Sequence, residues 1–183
     1  MTARSKFEFE ENTEKLRELV LYIARKSESD PRFGATKLNK ILFYADFLAY
    51  LQLGKPITGA DYQKLEHGPA PRRLLPLQKE MESKEEGVLV DRIFCGRKQK
   101  RLMAMREPDL SDFTGEEIAL VDEILEICKG ANATDLSEAT HGLTAWRAFQ
   151  KGESIPYTTV FIDDRPLTKA EREYAVELEP TAA

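Results

Sequence analysis

Two histidines and two cysteines are the side chains from which a soft-ligand metal site or a nucleophile–base pair would be built. They stand at His67, Cys95, Cys128 and His141, and no pair has the short spacing of a zinc site. No metal is expected. Cys95 or Cys128 could formally meet His67 or His141. However, Cys128 falls on the apolar stripe of a predicted helix, where a free thiol behaves as a small hydrophobe, and Cys95 lies at the end of a predicted hairpin. Neither phosphate-cradling pattern, GxGxxG or GxxxxGK[ST], occurs. The carboxylate pairs Glu85-Glu86, Glu116-Glu117 and Asp163-Asp164 are of the kind that decorates solvated helix ends and loops. No enzyme and no cofactor is expected, and a hydrolase using His67 or His141 as a base ranks last.

What remains is chemistry of contact. DYQKLEHGPAP and LSEATHGLTAWRAFQKGESIPY each place a histidine before a glycine and mix aromatic groups, small residues and proline. Tyr62, His67, Trp146 and Tyr157 are residue types that anchor protein interfaces. The plainer readings are a loop histidine bonded to backbone for His67 and a core residue for Trp146. A third group is Arg97, Lys98, Lys100 and Arg101, read as the basic tip of a hairpin. A solvated turn is the first reading of it, and a DNA-contacting wing its rival. The rival is weakened by a formal net charge of −5, because phosphate binding needs a basic face. No aromatic interleaves with these cations to stack bases, and no upstream helix has the polar surface of a recognition helix.

The elements that must carry these groups follow from periodicity. Asn12 caps a helix over about 13–26 whose apolar residues Leu16, Leu19, Val20 and Ile23 recur at helical spacing. A second helix runs from near Thr36 to before Gly54. It is apolar around most of its circumference and is therefore expected to be central. Asn39 and Asp46 lie on one side of it, either at a solvent edge or buried with partners. Residues 55–71 read as a loop rich in glycine and proline, with room for a short strand or turn in ITGADY. A third helix starts near Leu74 or kinks at Pro76, carries Leu74, Leu77 and Met81 inward, and stops at Gly87. VLVDRIFC and RLMAM read as a hairpin with GRKQK between them. Thr114 and Glu117 form a capping-box pattern before a helix with Ile118, Val121, Leu125 and Cys128 on one face and Gly130 at its end. Short helical pieces follow in TDLSEAT and TAWRAFQK, then GESIPYTT as a loop or extended stretch and a last helix over about 168–178. The fold class expected is α+β: one mainly helical domain over 1–183 with a small antiparallel β element. No apolar run reaches membrane-spanning length, and MTARSKFEFEENTEK has no signal-like apolar core. A cytoplasmic protein with reduced thiols, no membrane partner and no nucleic-acid partner is expected.

The ordered series of motifs resembles the Panacea domain, also called the SocA-like antitoxin domain. Lys37, Leu38, Lys40, Ile41, Leu42, Phe43, Ala45 and Asp46 match its KLxKLLYxAD-like helix. Gly54, Pro56, Ile57, Thr58 and Tyr62 match its turn, and Gly68, Pro69 and Pro71 its GPxP loop. Ser137, His141, Ala145, Trp146, Gly152, Glu153, Ile155, Pro156 and Tyr157 match its later pattern. Ala70 departs from it, since valine is frequent there. The resemblance covers roughly residues 13–162. It implies an antitoxin that neutralises a toxin encoded beside it by direct contact, without catalysis. The contact surface is then expected around Tyr62, His67 and Pro69 together with His141, Trp146 and Tyr157.

Overall fold

Six helices, two β-hairpins and a 3-10 turn make up the computed structural model, which describes residues 9–141 and 144–162. The predicted helix over 168–178 lies outside the described residues. Helix α1 (Thr13–Lys26) begins where the Asn12 side chain accepts the Lys15 N–H, and it carries Glu14 in its first turn and Arg25 and Lys26 in its last. Those charges complement the helix dipole. Leu16, Leu19, Val20 and Ile23 are fully buried against α2 (Ala35–Leu53). Helix α2 is central, as its apolar circumference predicts; of its large apolar residues only Leu51 is exposed. Its polar residues Lys37, Lys40 and Asp46 are therefore buried too, and each must find partners inside.

Residues 62–71, expected to be loop, form a hairpin instead. Strands β1 (Tyr62–Leu65) and β2 (Gly68–Pro71) pair antiparallel with Leu65 opposite Gly68, leaving Glu66 and His67 as the turn. Prolines cannot donate to a ladder, so Pro69 and Pro71 argue against a strand on sequence grounds. They are tolerated because β2 lies at the outer edge of this small sheet and packs on α2. Across β1, Lys64 donates its N–H to Glu153 O (2.9 Å), while Gly152 and Ile155 donate theirs to Lys64 O and Tyr62 O. The predicted extended segment near 152–155 is thereby added to the hairpin.

Helix α3 (Leu74–Ser83) starts at Leu74, so Pro76 sits in the first turn, where the N–H it lacks would have had no intrahelical acceptor. Leu74, Leu77 and Met81 face the core. Gly87, expected to end α3, opens strand β3 (Gly87–Phe94), which pairs with β4 (Arg97–Ala104). The predicted hairpin is present, but its tip is Cys95-Gly96, both with positive φ (49° and 74°), and not the basic stretch. Two left-handed residues make the tight turn that suits strand twist. Arg97, Lys98, Lys100 and Arg101 therefore belong to β4. Helix α4 (Gly115–Cys128) carries the predicted capping box. Thr114 Oγ1 accepts from Glu117 N–H, and Glu117 accepts from Thr114 N–H and from Lys15 Nζ. Its buried face is Leu120, Val121, Ile124 and Cys128, with Ile118 and Leu125 at the margin. Gly130 lies one residue beyond the cap, Lys129. Helices α5 (Ala133–His141) and α6 (Thr144–Arg147) and the 3-10 turn (Tyr157–Phe161) close the domain over β1–β2.

Arg101 has the opposite of the role expected for a wing residue. It is 2% exposed, and its guanidinium donates to the carbonyls of Ser27 (2.7 Å), Glu28 (2.5 Å) and Asp30 (2.8 Å). These are carbonyls at and just beyond the α1 C-terminus, where unpaired acceptors and the negative dipole end favour a cation. Arg101→Met is expected to lower unfolding free energy by about 2–4 kcal/mol, with Arg101→Lys between it and wild type, because a lysine cannot span three carbonyls. Urea denaturation checks the ranking; equal losses for the two variants would show that the charge, not the fork, matters.

Candidate partner-binding surface

The β1–β2 hairpin is held from beneath by α2. Asp46 is fully buried on α2 and collects the Thr58 N–H (2.7 Å), the Thr58 hydroxyl (2.5 Å) and the Tyr62 hydroxyl (2.8 Å). The Tyr62 hydroxyl has one proton and also lies 2.8 Å from Leu42 O, so it donates to one acceptor at a time. Tyr157 donates to Ala60 O at 2.7 Å, beside the same carboxylate. Burial raises the Asp46 carboxyl above its ordinary range, opposed by the bonds from Thr58 and Tyr62. Burial likewise raises both phenols, and the Asp46 charge adds to it. This network ties the loop before β1, the hairpin and the 3-10 turn to one point on α2.

A second tether reaches the hairpin turn itself. Lys40, two turns before Asp46, is fully buried, and its Nζ donates to His67 O (2.5 Å) and Thr140 Oγ1 (2.9 Å). Ser137 on α5 donates to the same His67 carbonyl at 3.1 Å. No carboxylate pairs with Lys40 among the described residues, and burial pushes its pKa down to about 8. Lys37, one turn earlier, is also buried but paired: it donates to Asp30 at 2.6 Å and to Ala131 O. Both lysines were visible as cations on a helix with no polar face to put them on, a signal that marks them as buried tethers.

The shift of Lys40 makes a pH prediction. Its folded pKa lies below its unfolded value of 10.5. Between about pH 8 and 10.5 the unfolded chain binds more protons there, so this site adds stability as pH rises. The stability advantage of wild type over Lys40→Met should grow across that window, with a slope approaching about 1.4 kcal/mol per pH unit. The buried phenols act the other way. Their folded pKa is raised above 10, so the stability they contribute is lost above about pH 10. Urea titrations from pH 7 to 11 read both; a pH-independent difference between wild type and Lys40→Met would refute the lysine assignment.

The two tethers sort the expected contact residues into inward and outward groups. Tyr62 (1% exposed), Pro69 and Tyr157 (8%) are buried. Their expected place at the surface is corrected: their rings shape the surface from below, because the hydroxyls of both tyrosines serve Asp46 and backbone carbonyls. His67 is exposed at the turn. Trp146 is half-buried, and Lys64 Nζ lies 3.9 Å above its ring while donating to Phe149 O. His141 closes α5 in the chain, and its side chain lies outside the described residues, as does that of Arg97. The hairpin thus presents His67 at its turn and the Lys64–Trp146 stack on its flank. Arg72 staples the far end, donating to Asp61, Gln63, Ser154 Oγ and Gly152 O.

Other chemistry is sparse. Cys128 is buried, and burial pushes its thiol up, away from reactivity; Cys95 is exposed in the β3–β4 turn. Among the described residues, no group of three or more His, Cys, Asp or Glu is placed to hold a metal, and no helix is long and apolar enough to cross a membrane. Of the expected basic group, Lys98 and Lys100 are exposed and Arg101 is buried.

The family described as antitoxin SocA-like, Panacea domain, matches residues 38–147. That span runs from Leu38 in α2, the helix that carries Lys40 and Asp46, to Arg147, the residue after Trp146. No curated protein and no solved structure matches the chain.

Proposed function

Because the chain belongs to the Panacea-domain family of SocA-like antitoxins, we propose that it neutralises a protein toxin encoded beside it by direct binding and without catalysis. The contact surface is the β1–β2 turn with its flank: His67 supplies directional hydrogen bonds, and the Lys64–Trp146 stack supplies apolar area with a charge at its rim. The observation that carries this reading is the double anchoring of an exposed turn. Lys40, itself bonded to Thr140, and Ser137 hold the His67 carbonyl from two helices, which leaves its side chain outward on a rigid base. A preorganised loop loses little entropy on docking. The nucleic-acid alternative using residues 97–101 has lost Arg101 to the α1 carbonyls, and the net charge of −5 opposes it.

Expression of the adjacent reading frame alone should arrest growth, co-expression of this protein should restore it, and the two should co-purify. Trp146→Ala and His67→Asp should each weaken the complex by about 30-fold, as expected of residues worth about 2 kcal/mol at an interface centre, with no comparable loss of fold stability. Rescue with no complex would instead mean an indirect or enzymatic mechanism.

A further inference from the structure

The β3–β4 hairpin takes no part in the surface described above. It is fixed to the domain along β4: Leu102 is buried, Arg101 clamps α1, and Gln99, on the opposite face from Lys98 and Lys100, packs so close to Gly34 that a Cβ added there would stand 2.5 Å from Gln99 Cγ. The outer half of the Lys98 and Lys100 face is different. Ile93 faces Lys98 and Asp91 faces Lys100 across the ladder, so these four side chains share one face, and all four are exposed. Ile93 is 78% exposed, more than any other large apolar residue among those described.

The edge of β3 is open at the same place. Met105 donates to Glu86 O at 2.9 Å, which extends the ladder and sets its phase. Val88, Val90 and Arg92 therefore turn their backbone groups toward β4, while Leu89, Asp91 and Ile93 turn theirs away. The Leu89 N–H is taken by Glu82 Oε1 at 2.9 Å. The outward N–H and C=O groups of Asp91 and Ile93 meet no partner among the described residues.

We propose that this edge is a strand-addition site for an extended acidic segment of a partner protein. The added strand pairs with the backbone of Asp91 and Ile93 and sets an apolar side chain beside Ile93. Its carboxylates meet Lys98 and Lys100, which stand one strand further in. Two strand spacings are about 10 Å, a gap that a lysine and a glutamate close between them. Charge decides among occupants. A second copy of this chain, paired two-fold about Arg92, would set two exposed guanidiniums side by side, which is repulsive. Nucleic acid finds an isoleucine where a base-stacking aromatic is needed, on a chain of net charge −5. An acidic strand finds backbone partners, an apolar contact and a face that stays net positive, because Lys98 and Lys100 outnumber Asp91 on it and Asp91 is already opposite Lys100. The proposal rests on the partner-binding reading only for the class of occupant.

The test uses the full chain and two capped decapeptides, one alternating Glu and Val and the other Lys and Val, at low salt. The acidic peptide should bind and slow amide exchange at Asp91 and Ile93, and the basic peptide should not. Ile93→Pro, which removes an outward N–H at an exposed site, should weaken binding at least tenfold. Lys98→Glu with Lys100→Glu should reverse the peptide preference. The proposal is overturned if the charge-reversed variant keeps the acidic peptide, if protection appears only elsewhere, or if duplex DNA displaces the peptide. It is equally overturned if the wild type self-associates through this edge. No toxin enters the experiment, so failure here leaves neutralisation standing, and failed neutralisation leaves the edge assignment intact.

Discussion

Asp46→Ala is expected to lower the unfolding free energy by about 3–5 kcal/mol, the range seen when one partner is removed from a buried charged network. The loss has an identifiable composition. The Thr58 N–H and hydroxyl lose their acceptor at 2.7 and 2.5 Å, and each is too buried to recruit bulk water. The Tyr62 hydroxyl keeps Leu42 O and suffers less. Asp46→Asn retains an acceptor for the Thr58 N–H but directs an NH2 at hydroxyls that must then turn to accept it. It should cost less than half as much. Urea denaturation of the three proteins gives the comparison. A loss under 1 kcal/mol for Asp46→Ala would mean that the network is satisfied by other means and does not anchor the hairpin.

Gly68→Ala is the second large effect. Gly68 has φ +103°, outside the range that side chains tolerate, and an added Cβ would lie 1.5 Å from Lys40 Nζ and 2.9 Å from Thr140 Oγ1. Lys40 is the far end of a flexible chain, but it is enclosed on all sides, so it cannot swing aside without breaking its bonds to His67 O and Thr140. A loss of about 2–4 kcal/mol is expected from strained backbone and clash together. The two parts separate in a double-mutant cycle. In a Lys40→Ala background the clash is gone and only the φ strain remains, so Gly68→Ala should cost less there than in wild type. Equal costs in both backgrounds would place the whole effect in the backbone. The cycle also bears on function, because both residues hold the His67 turn.

Much of this molecule was legible because its signals are local. The Asn12 cap, the Thr114–Glu117 capping box and the start of α3 at Leu74 depend on residues within one helical turn, and each stands where the sequence placed it. The centrality of α2 was legible for a different reason: a helix apolar on most sides has nowhere to go but inside. That same fact made Asp46 a residue in need of partners.

The order of motifs along the chain was enough to point to the family, and the α+β class followed from a change of period between helical and alternating stretches. Which way each motif residue faces was settled only by the tertiary structure. Tyr62 and Tyr157 are interface types by composition, but their hydroxyls are taken by Asp46, 16 residues from Tyr62, and by Ala60 O, 97 residues from Tyr157, and no local pattern encodes such pairings. Pro69 and Pro71 read as loop because prolines spoil ladders; packing against α2 makes a strand of them anyway. Arg101 read as a solvated tip because it follows three cations in a row of five residues. Its partners are carbonyls more than seventy residues earlier in the chain. A side chain's type limits what it can bond, whereas its burial depends on which distant backbone the fold brings to it.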